Sequence, residues 1–280
     1  MPVAWCCRQM KVSTSGYYEW KHRPVSAREH ANVALTATIR QIHEQSRGTY
    51  GAPRVHAELR LGLHQTVNRK RVERLMREAR IQGVFRRRTR GCTKRDQTAR
   101  PSDDLVNRQF SVDGPDRLWV MDATEHRTAE GRVYLAVVID AWSRRVIGWS
   151  IADHIRAELM VDALQMAVWR RRPDGPTIAH SDHGSQYTSW AFGRRLRASG
   201  LLGSMGSIGD AYDNAMAESF FGTLQLELLD RQPWQTRREL AAAIFEWIEA
   251  FYNRTRRHSS IEMLSPTEFE RLHKPAQIAA

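Results

Sequence analysis

The chain has 280 residues, which is enough for one large domain or for two or three small ones. Hydrophobic residues make up 41% of it and aromatic residues 9%, a composition that excludes disorder throughout the chain. The formal charge of +12 is uneven, because residues 1–100 contain 22 Lys and Arg against 7 Asp and Glu, whereas the rest has 21 against 24. This asymmetry favours a polyanion-binding N-terminal part, although a basic face that only aids solubility has the same composition.

The cysteine pattern and the hydrophobicity profile indicate the compartment. Cys6, Cys7 and Cys92 form no Cys-x-x-Cys pair, no zinc-type spacing with His and no even disulfide framework. No apolar run reaches the roughly 18–20 residues that span a membrane, and the N-terminus lacks the apolar core of a signal peptide. We therefore expect a protein of the reducing cytoplasm.

The first 25 residues show little periodicity, and we expect an N-terminal tail in which Ser13–Pro24 forms a turn and a linker. The pattern becomes helical at residue 26. Ser26 and Glu29 form a capping box, which predicts the start of a helix. The residues that repeat on its core-facing side are Ala31, Leu35, Ile39 and Ile42.

Two further helices complete a predicted helix-turn-helix-like DNA-binding domain over residues 26–82. Pro53 can open the second helix, and Thr66 or Asn68 can cap the third. The third helix could enter a major groove, but an amphipathic helix with a solvated charged face explains it equally well. Its apolar stripe is Val72, Leu75, Met76 and Ala79, and its candidate DNA-binding residues are Arg69, Lys70, Arg71 and Arg74.

Residues 83–109 are basic and contain few apolar side chains, so we expect a linker that follows backbone phosphates. Arg86, Arg87 and Arg88 are its candidate DNA contacts. Contacts of this kind give an affinity that falls steeply with salt and carries little sequence preference.

Residues 110–230 have the pattern of an α/β domain. Strands are predicted at 118–124, 133–139 and 145–151, joined by short turns that favour an antiparallel meander. A helix (158–171), a strand (177–179), a helix (188–198), a strand (201–205) and a helix (211–229) follow. This β-β-β-α-β-α-β-α order predicts a ribonuclease H-like mixed sheet in which the first and fourth strands are neighbours.

Three carboxylates fall at informative places in this predicted domain. Asp122 lies in the first strand, Asp182 follows the fourth, and Glu218 lies on the helix over 211–229. Carboxylate oxygens are hard ligands, and two Mg²⁺ ions held between such acids can activate a hydroxyl and neutralise a phosphodiester. We therefore predict a metal-dependent phosphoryl-transfer site. The sequence does not identify which of the carboxylates bridges the two ions.

Other residues near these acids have structural explanations. Asp140 is an alternative fourth ligand, but we expect it to form a turn or to pair with Arg144. His180 and His183 are expected to be structural, and the pair Phe220-Phe221 to belong to the core.

The remaining segments are a loop and a C-terminal extension. Gly203, Gly206 and Gly209 predict a flexible loop before the Glu218 helix. Over residues 231–280 we expect a helical extension, with a helix over 237–251, a basic stretch over 252–258 and a last helical turn that begins at Ser265.

The chain resembles the integrase-core DDE transposases of bacterial insertion sequences, and in particular the second-frame (OrfB-type) product of the IS-three family. Three blocks carry the resemblance: Trp119–Asp122, His180–Ser189 and Tyr212–Phe221. Ser46–Gly51 and Asn68–Val72 resemble that family's N-terminal region, and Tyr252-Asn253, His258-Ser259 and Ser265-Pro266 its C-terminal segment.

The resemblance implies that Asp122, Asp182 and Glu218 are the catalytic and metal-binding triad. It implies Mg²⁺ as the cofactor, two ions per site with Mn²⁺ as a substitute, and cleavage at transposon ends followed by transfer of the freed 3′-hydroxyl to target DNA. It also implies a homo-oligomer on paired ends, an upstream-frame (OrfA-type) protein or fusion as partner, and a nucleoid-associated cytoplasmic location. Asn214 and Gln225 are the DNA-contacting candidates on the Glu218 helix.

Two departures from the family pattern keep other functions open. Gln225 stands where a basic residue is expected, and Gly206–Gly209 stands where an Arg-Lys pair is usual. Both remove positive charge beside the expected DNA path. A DNA-binding regulator with weakened catalysis is therefore an alternative. The predicted ribonuclease H-like fold leaves a hydrolase of RNA–DNA hybrids as a further possibility, which the resemblance to the integrase branch disfavours.

Overall fold

A computed structural model of the chain describes residues 2–85, 112–181, 190–205 and 215–273, without the side chains of 190–192 and 205. The N-terminal helices are α1 (Val3–Gln9), α2 (Thr14–His22), α3 (Ala27–Gln45), α4 (Ala52–Ala57) and α5 (Arg69–Glu78). The strands are β1 (Leu118–Thr128), β2 (Gly131–Asp140), β3 (Val146–Ala152), β4 (Thr177–Ser181) and β5 (Leu201–Met205). The later helices are α6 (Ala157–Arg171), α7 (Trp190–Ala198), α8 (Ala215–Glu227), α9 (Arg237–Glu246) and α10 (Pro266–His273).

The prediction of a turn and linker at Ser13–Pro24 is wrong, because this stretch contains α2. The side chain of Ser13 accepts a hydrogen bond from the backbone N–H of Gly16 and caps the helix. No residue of α2 is buried, so its sequence has no apolar stripe from which a helix could be recognised.

Helices α3, α4 and α5 form the predicted helical unit. Glu29 donates its backbone N–H to the hydroxyl of Ser26 and accepts the N–H of Ser26 on its carboxylate, which confirms the capping box. Asn68, rather than Thr66, caps α5 by accepting the N–H of Lys70 at 2.8 Å. Helix α4 continues as one π-helical turn over Glu58–Gly62.

The sheet has the predicted mixed topology, with strand order β3-β2-β1-β4-β5. The first three strands pair antiparallel, and β1 and β5 pair parallel with β4 on its two sides. The expectation that Gly203 belongs to a flexible loop is wrong, since Gly203 pairs with Ala179 inside β5. Gly206 and Gly209 lie outside the described residues.

The two faces of the sheet enter two different cores. Because side chains alternate along a strand, Trp119 and Met121 pack with α6 on one face, whereas Leu118 and Val120 pack on the other. That second core contains residues of α8 and α9 and also the apolar residues of α3–α5. The N-terminal helical unit therefore shares one core with the sheet.

Arg257 joins the N-terminal unit to the C-terminal extension. Its guanidinium contacts Glu58 at 2.6 Å and Glu268 on α10 at 2.8 Å. Its backbone N–H donates to the phenol oxygen of Tyr50, which in turn donates to the carbonyl of Thr255. Burial raises the pKa of Tyr50 to about 12, so the phenol keeps the proton that it donates.

Asp140 is fully buried, and the expectation that it forms a turn is confirmed. It accepts the backbone N–H groups of Trp142 and Ser143. The expected pairing with Arg144 is wrong, because the guanidinium that reaches Asp140 is that of Arg171, which also contacts Glu270 at 2.8 Å. The β2–β3 turn, α6 and α10 thus meet at one buried ion cluster.

None of the helices in the described ranges is long and apolar enough to cross a membrane. Past α8, one π-helical turn over Trp247–Tyr252 extends α9 as the sequence predicts, and α10 begins one residue after Ser265. The C-terminal extension is therefore helical, in agreement with the prediction.

Gly148→Ala should destabilise the protein by about 3 kcal/mol, because overpacking against backbone atoms cannot relax. A Cβ at Gly148 would lie 2.2 Å from the carbonyl oxygen of Ala163 and 2.8 Å from the backbone nitrogen of Ala167. Urea denaturation gives the free energy of unfolding. Gly175→Ala is the matched control, since nothing lies within 4 Å of its added Cβ, and it should change stability by less than about 0.5 kcal/mol.

Candidate metal centre and nucleic-acid interface

Asp122 lies in the middle of β1, where it pairs with Val137 of β2. It is half-buried, and its Oδ1 accepts the backbone N–H of Ala123 at 2.7 Å. By strand alternation its side chain is on the same face as Leu118 and Val120, the face that α8 covers. A carboxylate in this position is held by its strand and still reaches solvent.

Glu218 lies in the first turn of α8 and is exposed. Its neighbours Met216, Ala217 and Phe220 are buried in the core that α8 shares with β1. The helix therefore anchors itself through these residues and leaves the Glu218 carboxylate outside the packed interior. The burial of Phe220 confirms that this aromatic residue belongs to the core.

Asp182 and His183 lie outside the described residues, as do Asn214 and Arg86–Arg88. The last described residue before Asp182 is Ser181, which pairs with Met121 in the parallel ladder between β4 and β1. His180, one residue earlier, is buried, and its Nδ1 lies 3.2 Å from the hydroxyl of Ser204 on β5. His180 thus contacts the neighbouring strand, and the structural role expected of it stays a prediction.

Two of the three predicted metal ligands, Asp122 and Glu218, are within the described ranges. In those ranges no three His, Cys, Asp or Glu side chains cluster as a metal site. The two described acids supply hard oxygen donors, one half-buried and one exposed, a donor set that fits a Mg²⁺-type cation.

The basic face of α5 is partly engaged within the protein. Arg69 pairs with Glu73 at 2.9 Å and Arg74 with Glu78 at 2.8 Å, both one helical turn apart. Arg71 donates to the side-chain oxygen of Asn32 on α3. Exposed i,i+4 pairs contribute only about 0.5 kcal/mol, so a phosphate could displace them.

Lys70 and Gln225 are the other described candidates for DNA contact. Lys70 is exposed and has no ion pair with a described residue. Gln225 donates its side-chain N–H to the carboxylate of Asp230. The lysine is therefore available to a polyanion, whereas the glutamine already has a partner.

A buried ion cluster around Glu227, near the end of α8, was not predicted from the sequence. Arg256 donates Nε and one terminal N–H to the two carboxylate oxygens of Glu227, both at 2.7 Å. Arg54 of α4 adds a third contact at 3.2 Å. The spacing of Phe220, Leu224 and Glu227 puts this acid on the core face of its helix, and that position signals the need for a buried cation.

His258 lies beside this cluster and faces three arginines. Burial lowers its pKa well below the usual value, and Arg256, Arg54 and Arg144 lower the pKa further by repulsion. Its ring packs edge-on against Tyr252. His258 is therefore neutral at pH 7.

Comparison with known proteins gives three family matches. Residues 29–89 match the model of an HTH-like domain. Residues 112–211 and residues 200–266 match two models described as integrase core domain. These matches cover the α3–α5 unit, the sheet and much of the C-terminal extension.

Two curated proteins are similar over nearly their whole length. Transposase InsF for insertion sequence IS3A of Escherichia coli K12 is 39% identical over 94% of this chain and 92% of its own. The transposase for insertion sequence element IS629 of Shigella sonnei is 37% identical over 95% and 90%. Among solved structures, the intasome of simian T-cell lymphotropic virus in complex with PP2A regulatory subunit B56 gamma matches with 13% identity and a TM-score of 0.48, over 86% of this chain and 76% of that one.

His258→Gln should reduce the acid sensitivity of folding. As the pH falls below about 6.5 the unfolded chain binds a proton at this residue and the folded protein does not, so stability is lost at about 1.4 kcal/mol per pH unit. Urea denaturation between pH 5 and pH 7 measures the slope. An unchanged slope in His258→Gln would contradict the buried neutral state of His258.

Proposed function

The chain belongs to the family of DNA transposases of insertion sequences, with an integrase core and an HTH-like DNA-binding domain, and from this premise we propose that Asp122, Asp182 and Glu218 are its catalytic triad. In this proposal the protein cleaves the ends of its insertion sequence and joins the freed 3′-hydroxyl to target DNA. The three acids bind the divalent cations that this chemistry requires.

The observation that carries the proposal is the parallel register between β1 and β4. It pairs Met121 with Ser181, and these two residues immediately precede Asp122 and Asp182 in the chain. Consecutive Cα atoms are about 3.8 Å apart. The Cα atom of each acid therefore lies within that distance of Met121 or Ser181, which pair with each other. The two acids therefore start from adjacent strands at the centre of the sheet.

The position of α8 supports Glu218 as the third acid of the proposed triad. Glu218 is exposed, and its helix packs on β1 through the same core that Leu118 and Val120 enter. Asp122 belongs to that face of the sheet by strand alternation. We infer that a carboxylate from the helix and one from the strand bind a shared cation on this face of the sheet.

The chain's own residues prepare and orient the reacting groups. The N–H of Ala123 holds one oxygen of Asp122, which fixes the direction of the carboxylate. Bound Mg²⁺, two ions in our proposal with Mn²⁺ as a substitute, supplies charge neutralisation at the phosphodiester and activation of the attacking hydroxyl. Exposure of Glu218 leaves room for the DNA strand beside it.

DNA recognition divides between base reading and backbone contact. We assign the groove contact to α5, through Arg69, Lys70, Arg71 and Arg74, and backbone contact to Arg86–Arg88 and Asn214. The proposed domains are a DNA-binding domain, a basic linker, a catalytic core and a C-terminal extension, over residues 26–82, 83–109, 110–230 and 231–280. Assembly as a homo-oligomer on paired ends, with an upstream-frame product as partner, completes the proposal.

The engagement of Gln225 favours a second candidate function, a regulator that binds DNA with weakened catalysis. Its side chain donates to Asp230 and brings no positive charge to α8. Strand-transfer assays with Mg²⁺ and Mn²⁺ decide between the two candidates, because joining of end duplexes excludes the regulator.

Asp122→Asn and Glu218→Gln should each lower strand cleavage and transfer by about a thousandfold, since each removes a ligand whose loss costs several kcal/mol of transition-state stabilisation. The substrates are duplexes that carry the ends of the insertion sequence encoding the chain. DNA affinity measured without metal should stay within a factor of about two.

Asp153→Asn and Glu44→Gln are matched controls, because both acids are exposed and distant in sequence from the proposed triad. They should retain native cleavage. Undiminished cleavage by both Asp122→Asn and Glu218→Gln would reject the assignment.

Gln225→Lys should strengthen binding and joining if α8 borders the DNA. One added phosphate contact steepens the slope of log affinity against log salt by about 0.9. Gln235→Lys, at an exposed position outside α8, adds the same charge as a control. An identical response of both variants would remove residue 225 from the DNA path.

A further inference from the structure

A cavity of about 310 Å³ lies between α8 and the basic part of the C-terminal extension. Three guanidinium groups line it: Arg54 from α4, Arg144 from the β2–β3 turn and Arg256. Hydroxyl groups line it as well, among them those of Ser219 and Ser260. The described lining is that of an anion site, because it combines charged donors with neutral hydroxyl donors and contains no acidic side chain.

The described residues do not balance the positive charge around this cavity. Glu227 lies behind the lining and compensates one charge of the Arg54–Arg256 pair. Arg144 has no carboxylate partner among the described residues, although its side chain is only half-exposed. Burial lowers the pKa of Arg144, and only the phenol of Tyr252 acts against that effect. A half-buried cation without a counter-ion is costly, and an anionic ligand would remove that cost.

The position of the cavity connects the two functional parts of the protein. Ser219 directly follows Glu218 on α8. Arg54 and Ser259 also line a second cavity, of about 870 Å³, whose lining includes Arg77 and Arg80 just at and past the end of α5. Basic groups therefore follow one another from the DNA-binding helix to the helix that carries Glu218.

We propose that the cavity lined by Arg54, Arg144 and Arg256 binds a backbone phosphate of DNA and holds that strand alongside α8. The inference rests on the proposed function, because it takes the DNA of that reaction as the source of the phosphate. A free phosphate or a nucleotide has the same recognition chemistry and is the alternative source. Guanidinium groups donate in a fork that matches phosphate oxygens, and such contacts carry no base preference.

The test uses the full chain and end duplexes in EDTA, so that binding is measured without turnover. Arg144→Gln leaves no carboxylate unpaired and should lower affinity about tenfold, as expected for loss of one charged hydrogen bond. It should also reduce the slope of log affinity against log salt by about 0.9. Arg271→Gln removes the same charge from an exposed position on α10 and should leave both quantities unchanged.

Ser260→Glu is the second variant, because Ser260 is exposed and its replacement does not disturb packing. The added negative charge in the cavity lining should weaken DNA binding at least as much. Circular dichroism checks that each variant folds. If Arg144→Gln does not fold, the DNA affinity of Ser260→Glu tests the proposal. Native affinity in the folded variants, or an equal loss in Arg271→Gln, would overturn the proposal.

Inorganic phosphate separates the two sources. Calorimetric titration that finds Arg144-dependent phosphate binding, with DNA affinity unchanged in Arg144→Gln, assigns the cavity to a small phosphate compound and rejects the DNA strand. The proposed catalytic triad is tested separately, because cleavage by the Asp122→Asn and Glu218→Gln variants is measured with metal. A failure of that proposal is therefore distinguishable from a failure of these binding experiments.

Discussion

The parallel pairing of β1 with β4 is the constraint on which the rest of the structure depends. These two strands are the centre of the sheet, and each is paired on both sides. A shift of register by one residue would move Trp119 and Met121 out of the α6 core and bring Leu118 and Val120 into it. The same shift would turn Asp122 to the opposite face. Packing on both faces of the sheet and placement of the candidate site are thus set by one register.

The sequence predicts this part of the molecule well because its signals are local. The apolar run over 133–139 favours a buried strand, and the capping box at Ser26 marks a helix start through two contacts three residues apart. Asp122 and Glu218 can be singled out only jointly with Asp182, because the three acids fall at two predicted strands and one predicted helix and match the blocks that carry the family resemblance. What escapes prediction depends on distant partners: Arg171 reaches Asp140 across 31 residues, and Glu227 meets Arg54 across 173. Helix α2 escapes for the opposite reason, since it has no buried face at all.

Buried arginines distinguish this fold from a purely apolar packing. Arg171, Arg256 and Arg257 each meet carboxylates in places that water hardly reaches. Removing charges from water is expensive, and ion pairs of this kind contribute little net stability compared with apolar residues of the same volume. They do penalise every arrangement in which a partner is missing. Their effect is to select one relative placement of α4, α8 and the C-terminal extension. Arg144, which is half-buried, has no acidic partner within the described residues.

The two ion pairs of Arg257 fix the distance between two parts of the molecule. Glu58 belongs to the N-terminal helical unit and Glu268 to α10, and both are held by the same guanidinium. The α3–α5 unit and the C-terminal extension are consequently held in one relative position by a single side chain. In the proposed function α5 reads the DNA and Glu218 takes part in cleavage, and the folded protein then sets the number of base pairs between the two positions.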